Sequence, residues 1–179
     1  MFRALLFISV SIFLVLPLTG CQSAYYSAWE KLGVEKRDIL ADRVESAKSA
    51  QEDAQEQFTD ALQQLSTLIS FDGGQLQDTY EALKDQYESS KNSADRVGAR
   101  INSIEDVADA LFDEWEEELA QYSNESLRRK SEQQMRNTKR RYQRLLKSMR
   151  KAEASMEPVL ATLNDNVLFL KHNLNASAI

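Results

Sequence analysis

Apolar residues recur at alternating steps of four and three along most of this chain. This heptad spacing is typical of helices that bury one face against a partner helix. The pattern pauses at 72–74 and at 122–126, where Gly, Ser and Asn residues favour turns. The chain is therefore expected to form three long helices, over about residues 26–71, 75–122 and 125–175.

The third predicted helix differs from the first two at its core positions. The spacing places Gln134, Leu145 and Met149 there, and the first half of this helix has few large apolar residues. Ser123 or Asn124 is expected to cap its start. Pro158 lacks an N–H donor and is expected to kink the helix. The predicted fold class is all-α: an up-down-up bundle of three long antiparallel helices, coiled-coil-like, with a kink near Pro158.

The composition agrees with long elements, since the 179 residues include 5 Gly and 2 Pro. One cysteine cannot form an intramolecular disulfide, and His172, the one histidine, cannot build a multi-histidine metal site alone. No nucleophile stands beside a base, so we expect no catalytic residue, no metal and no cofactor. The net charge of −6 gives no overall attraction to nucleic acid.

Residues 1–20 have the organisation of a lipoprotein signal peptide. Arg3 supplies the positive charge, and residues 4–16 form an uncharged apolar run that is shorter than the roughly 20 residues of a membrane span. The sequence that follows, Leu18-Thr19-Gly20-Cys21, resembles the lipobox of bacterial lipoproteins. That resemblance implies cleavage after Gly20 and lipidation of Cys21, which leaves a mature domain over 21–179. The alternative is an uncleaved signal anchor with an incidental cysteine.

The same resemblance bears on localisation. In the sorting scheme of bacterial lipoproteins, Asp directly after the lipidated cysteine favours retention in the inner membrane, and this chain has Gln22 there. We therefore expect a membrane-anchored lipoprotein that faces the periplasm, with the outer membrane favoured.

Charge is segregated about the turn near Asn124. Residues 105–125 include nine acidic and no basic residues, whereas residues 128–151 include eleven basic residues and one acidic residue. One interpretation is that the two arms flank each other in a hairpin and set helix pairing. The other is that the basic helix binds an anion. The candidate residues for either role are Arg128, Arg129, Lys130, Arg136, Lys139, Arg140, Arg141 and Arg144.

Several segments resemble those of an uncharacterised family of Gram-negative bacterial proteins. They are Lys36–Leu40, Phe112–Glu116, Tyr122–Asn124 with Leu127–Arg129, Met156–Leu160, and Asp165–Asn175. The resemblance implies a secreted lipoprotein with long helices, whose last helix continues beyond Ile179. It carries no assigned chemistry.

These observations predict a non-enzymatic, lipid-anchored periplasmic protein that acts as a scaffold or spacer in the cell envelope. Its expected partners are the membrane, through the N-terminal lipid, an envelope protein and further copies of itself, but not nucleic acid. The alternative is a binding module for phospholipid, lipopolysaccharide or cell-wall polymer through the basic 128–151 helix.

Overall fold

The structure is a computed structural model that describes Tyr25, residues 33–69 and residues 76–177. The signal peptide over 1–20, the motif Leu18–Gly20, Cys21 and the turn at 72–74 lie outside the described residues. The chain divides into two compact units, residues 1–35 and residues 36–179. All packing discussed below lies within the second unit.

Every regular element among the described residues of this unit is an α-helix. The helices are α1 (Lys36–Ile69), α2 (Leu76–Leu119), α3 (Glu125–Ala154) and α4 (Glu157–Ser177). The prediction of an all-α fold is confirmed over these residues. Helix α2 contacts each of the other three helices, so it forms the centre of the unit.

The observed helix ends correct the predicted boundaries. Residues 33–35 are not helical, contrary to the first helix predicted over 26–71. Gly33 has φ of 80°, a left-handed conformation that glycine adopts without a Cβ clash. Helix α2 ends at Leu119 rather than 122, because the N–H groups of Ala120 and Gln121 bond three residues back, to Glu117 and Glu118.

The third predicted helix is divided into α3 and α4 at Ser155 and Met156. Proline cannot donate a hydrogen bond, and its ring clashes with the carbonyl four residues earlier. For Pro158 that carbonyl belongs to Ala154, which is the last residue of α3. The N–H of Ser155 bonds to the carbonyls of Lys151 and Ala152, and the N–H of Met156 bonds only three residues back, to Glu153. The predicted interruption is therefore a break that begins before the proline.

Two apolar clusters hold the helices together. The first lies where α1, α2 and α3 meet, and its buried members are Ala47, Ala54, Phe58, Val97, Ile101, Ile104 and Met149. The second joins α4 to α1 and α2, and its buried members are Ala61, Leu65, Leu83, Leu163 and Val167. Burial of these side chains is the main source of stability, at about 25 cal/mol per Å² of apolar surface.

Helix α1 contributes a small residue at every seventh position of its packed face. Ala47, Ala54 and Ala61 are all fully buried. An alanine at the contact allows two helix axes to approach more closely than a large side chain would. Polar bonds at the edges of the α1–α2 contact accompany this packing: Gln57 Nε2 donates to Gln86 Oε1 at 2.9 Å, and Lys36 Nζ lies 3.0 Å from Glu114 Oε1.

The packed face of α3 agrees with the predicted heptad positions only in part. Met149 is buried as predicted and Tyr142, another heptad position, packs against the first cluster, whereas Gln134 and Leu145 are exposed and Leu146 packs in place of Leu145. Leu145 and Leu146 are adjacent and equally apolar, so the choice between them depends on the rotation of the helix. Ser131, Tyr142 and Met149 lie on the packed side as the heptad spacing predicts, so the difference is confined to neighbouring positions such as Leu145 and Leu146.

Ser90 provides a test of the α2 core. Its Oγ is buried and has no hydrogen-bond partner among the described residues. We expect Ser90→Ala to raise the free energy of unfolding by about 1 kcal/mol more than Ser89→Ala does, because the neighbouring Ser89 is exposed and reports helix propensity alone. Urea denaturation followed by circular dichroism measures both variants. A Ser90→Ala protein less stable than Ser89→Ala would mean that the hydroxyl has a partner.

Candidate functional site

The basic helix α3 begins at a well-formed cap. The side chain of Asn124 accepts hydrogen bonds from the backbone N–H groups of Ser126 and Leu127, at 2.9 and 3.2 Å. This settles the choice between Ser123 and Asn124 in favour of Asn124. Glu125 follows in the first turn, where a negative charge is favourable.

Three of the eight predicted cations pair with acids of their own helix. Arg128 and Arg129 bind Glu125, at 2.8 and 3.1 Å, and Arg136 binds Glu132. The guanidinium of Arg128 is the main reason that the pKa of Glu125 falls to about 2. These exposed pairs within one helix favour α3 itself, and solvent screening keeps the contribution of each pair small. They do not join α3 to α2.

Lys139 is a predicted cation that interacts with α2, through Phe112 and the charge of Asp109. Its Nζ is 5.5 Å from the ring centroid of Phe112, a buried residue of α2 that also packs against Tyr142. Burial raises the pKa of Tyr142 to about 12, and the nearby Asp109 and Glu105 add to the shift. Phe112 therefore has a packing role and a cation–π role at the α2–α3 contact.

A line of cations follows the side of α3 opposite its packed seam. At 100° per residue, positions 129, 136, 140, 144, 147 and 151 fall within about 40° of one line, which is about 33 Å long. We call these residues the basic ridge: Arg129, Arg136, Arg140, Arg144, Lys147 and Lys151. All six are exposed. The last four have no ion pair within the described part of the chain.

The remaining two predicted cations, Lys130 and Arg141, lie beside the basic ridge. Both are exposed and have no ion pair with another described residue. Sequence reasoning grouped the eight candidates as one block and omitted Lys147 and Lys151. A helical projection of the sequence would have found both, since they continue the line from Arg140 and Arg144.

An acidic counterpart runs along the distal half of α2. We call it the acidic ridge: Asp106, Asp109, Asp113, Glu116 and Glu117. All five side chains are exposed, and none has an ion-pair partner within 4 Å among the residues described. Partial burial raises the pKa of Asp109, and the like charges of Asp113 and Glu105 raise it further. The charges of this ridge therefore repel one another.

Helices α2 and α3 are joined by Arg150, which is not among the eight predicted candidates. Arg150 of α3 forms an ion pair with Glu105 of α2 and donates to Asn102 Oδ1 at 2.6 Å. Nearer the turn at Asn124, Trp115 Nε1 of α2 donates to Ser131 Oγ of α3 at 2.9 Å. Among the described residues, Arg150–Glu105 is the one ion pair between α2 and α3. None of the eight predicted candidates forms such a pair.

A groove lies along α1 beside the break between α3 and α4. Its volume is about 470 Å³, and its apolar wall includes Phe58, Leu62, Met156 and Val159. The polar side chains at its edge include Lys48, Glu52 and Gln55. His172, the chain's one histidine, is an exposed residue of α4 and does not line this groove.

Comparison with known proteins places the chain in a family. A family model described as "Protein of unknown function (DUF2959)" matches residues 25–179. The chain belongs to the DUF2959 family. For this DUF2959 chain, no similar protein was found among those with curated functions, and no similar solved structure was found. The family match thus confirms the resemblance to an uncharacterised family.

Two further observations describe this DUF2959 chain. No helix within the described ranges is both long enough and apolar enough to cross a membrane. Over the same ranges, no group of three His, Cys, Asp or Glu side chains is arranged to hold a metal ion. The two charged ridges are therefore the chemical features of the described surface that most call for an explanation.

Proposed function

We propose that this DUF2959 chain is a non-enzymatic lipoprotein of the Gram-negative envelope, in which a helical bundle acts as a scaffold or spacer. The observation that carries the proposal is the central helix α2, whose 44 residues span about 66 Å and contact all three other helices. Such a body separates or joins components over a distance. The buried side chains of its helices are mostly apolar and pack against one another, which is typical of a structural module.

We further propose that the bundle is up-down-up and coiled-coil-like. The contacts of α1 with α2 support opposite directions, because Lys36 lies against Glu114 while the later Gln57 lies against the earlier Gln86. The contacts of α2 with α3 likewise support opposite directions for these two helices. Trp115 meets Ser131 near the turn, and Glu105 meets Arg150 farther from it.

The sequence supports the proposed anchor. The lipobox-like segment Leu18–Gly20 precedes Cys21, and Gln22 favours the outer membrane in the lipoprotein sorting scheme. Each acyl carbon that enters the bilayer contributes about 0.8 kcal/mol, so two or more chains on one cysteine hold a protein firmly. The mature protein then faces the periplasm.

Replacement of Cys21 tests the anchor. In a Gram-negative host given radiolabelled palmitate, the wild-type chain is expected to carry label and to sediment with outer membranes. Cys21→Ser is expected to lose essentially all label, and its cleavage before residue 21 is expected to stop. Ser23→Ala is the matched control and should behave as wild type. Unchanged membrane attachment and processing in Cys21→Ser would contradict lipidation.

The scaffold proposal requires a protein partner in the envelope. A photo-crosslinking residue at exposed Glu117 or Lys139 in living cells, followed by mass spectrometry, is expected to capture one protein at both positions. Adducts to lipid or glycan alone, concentrated on α3, would contradict a scaffold and favour the second candidate function.

That second candidate is a binding module for an anionic envelope ligand, such as phospholipid, lipopolysaccharide or cell-wall polymer. The observation in its favour is that Arg140, Arg141 and Arg144 are exposed and have no ion pair with another described residue. We expect reversal of all three to Glu to abolish co-sedimentation with phosphatidylglycerol vesicles while the melting temperature stays unchanged. Equal binding of the wild type and this variant would dismiss the second candidate.

A further inference from the structure

The outer surface of α3 has one kind of chemistry along its length. At 100° per residue, an arc of about 60° to either side of the basic ridge contains no acidic and no apolar residue over 126–151. Besides the six cations of the ridge it holds Ser126, Gln133, Asn137 and Gln143, which are all exposed. This surface therefore presents positive charge and hydrogen-bonding groups to whatever lies against it.

The acids of α3 do not cancel this charge. Glu125 and Glu132 lie along one edge of the arc, and each forms ion pairs with arginines of the same helix. The four cations at the C-terminal end of the ridge, from Arg140 to Lys151, have no ion pair within the described part of the chain. They extend over about 17 Å of helix.

The rest of the chain has the opposite charge. Residues 128–151 include eleven basic residues and one acidic residue, yet the net charge of the whole chain is −6. The ridge lies on the side of α3 opposite its packed seam, so α2 with its acidic arm lies behind it. A molecule whose charge is separated in this way turns its positive side toward an anionic surface.

A bilayer that contains anionic phospholipid fits this side of α3. Its surface potential attracts basic segments within about 8 Å at physiological ionic strength, and a guanidinium pairs with a phosphate through two hydrogen bonds. A helix that enters the hydrocarbon needs large apolar residues on the contacting side. The exposed Leu127 and Leu145 of α3 lie about 140° from the ridge. The contact is therefore at the level of the headgroups.

The proposed anchor brings such a membrane within reach. Lys36 Nζ lies 3.0 Å from Glu114 Oε1, and the adjacent Trp115 donates to Ser131, so α1 begins at the level of the first turns of α3. Fifteen residues separate Lys36 from Cys21, and a chain of that length spans at most about 50 Å. A tether that short gives the ridge a high effective concentration at the membrane.

We infer that α3 lies flat on an anionic phospholipid bilayer, with the basic ridge among the headgroups and α2 on the side away from the membrane. The bundle then extends along the membrane instead of projecting from it. The inference rests on the second candidate function and deepens it, because it selects phospholipid among the anionic ligands and gives the orientation of the bundle. It leaves α1 and α2 accessible to the protein partner of the scaffold proposal.

Photo-crosslinking to lipid tests the contact in the full-length chain, purified in a mild nonionic detergent and reconstituted in vesicles. The photoreactive residue replaces Gln133, which is exposed and lies within about 20° of the ridge. The matched control probe replaces Gln63, an exposed residue of α1. The vesicles contain phosphatidylcholine alone or together with phosphatidylglycerol, and mass spectrometry identifies the lipid adducts.

With phosphatidylglycerol present, the probe at 133 is expected to capture at least about tenfold more phospholipid than the probe at 63. The adduct at 133 should fall at least about tenfold in neutral vesicles, and again at about 1 M salt, where the Debye length is about 3 Å. Equal adducts at the two positions, or equal adducts in the two kinds of vesicle, would overturn the inference.

Charge reversal tests which cations make the contact. The basic-ridge variant reverses three cations of the ridge, and the matched control makes the same change in net charge at three exposed lysines of α1 and α2. The substitutions are, respectively, Arg140→Glu, Arg144→Glu and Lys147→Glu, and Lys48→Glu, Lys84→Glu and Lys91→Glu.

Both proteins are expected to keep the melting temperature and helix content of the wild type, because all six positions are exposed. The basic-ridge variant should lose the adduct at 133 by at least about tenfold, whereas the control should keep it. A basic-ridge variant that keeps the adduct would overturn the inference.

The membrane contact, the second candidate function and the anchor fail separately. Binding of lipopolysaccharide by the wild type but not by the basic-ridge variant, without phospholipid adducts, would overturn the inference and leave the second candidate function standing. The same result with duplex DNA alone would overturn both. Adducts at 133 together with unchanged membrane attachment of Cys21→Ser would support the contact and refute the anchor.

Discussion

Replacement of Ile101 by alanine is expected to lower the free energy of unfolding by about 2–5 kcal/mol. Ile101 is fully buried in the first cluster, which also contains Ala47 and Ala54 from α1 and Met149 from α3. The truncation removes apolar contacts and leaves a cavity where three helices meet, so no single helix can move to fill it. Urea denaturation followed by circular dichroism measures the loss.

Leu145→Ala is the control for this experiment. Leu145 is 42% exposed, and its truncation is expected to change the free energy of unfolding by no more than about 0.5 kcal/mol. Leu145 occupies a predicted core position of α3, so the comparison also tests the observed rotation of that helix. Equal losses for the two variants would mean that α3 buries Leu145 and that the observed seam is wrong.

Leu163→Ala is also expected to lower the free energy of unfolding by about 2–5 kcal/mol. Unlike the Ile101 variant, it should destabilise α4 more than the rest of the chain. Leu163 is fully buried in the second cluster, where it packs with residues of α1 and α2. The break at Ser155 and Met156 interrupts the backbone hydrogen bonds between α3 and α4. We therefore expect α4 to open locally before the rest of the bundle unfolds.

Hydrogen exchange followed by mass spectrometry separates this local opening from global unfolding. In Leu163→Ala, amides of 157–177 should exchange faster, while those of 97–108 keep the protection of the wild type. Phe169→Ala is the control, since Phe169 is 64% exposed and its truncation should leave both regions unchanged. A uniform increase over all four helices would contradict the local opening and make α4 part of one cooperative unit.

Much of the fold follows from local features of the sequence. Scarce Gly and Pro, together with regular apolar spacing, predicted long helices, and the structure has them. Asn124 was one of two predicted caps, and an interruption was expected near Pro158. These features depend on residues that are close in sequence, so their physical causes are visible without a tertiary structure.

The rotation of α3 could not be predicted in the same way. Its first half has few large apolar residues to define a face, and the adjacent Leu145 and Leu146 fit two different seams. The contact of Leu146 with the first cluster decides between them, and that contact depends on α1 and α2. Likewise, the pairing of Arg150 with Glu105 depends on how closely two distant segments approach.

The candidate site was predicted as a block of charge rather than as a surface. The sequence identified the basic helix correctly, but the eight chosen residues mix three situations: cations paired within α3, a cation over Phe112, and exposed cations of the ridge. Position around the helix axis separates them. That information is present in the sequence once α3 is taken as a regular helix, and its packed side then identifies the exposed side.

The alanines of α1 limit how this family can vary. Ala47, Ala54 and Ala61 are fully buried, so a larger residue at any of them would require the neighbouring side chains or backbone to shift, at a cost of about 1–3 kcal/mol. Substitutions to Gly or Ser fit the space, whereas changes at the exposed positions between them are nearly unconstrained. A small residue at every seventh position should therefore persist in distant members whose other residues have diverged, and it offers a means of recognising them.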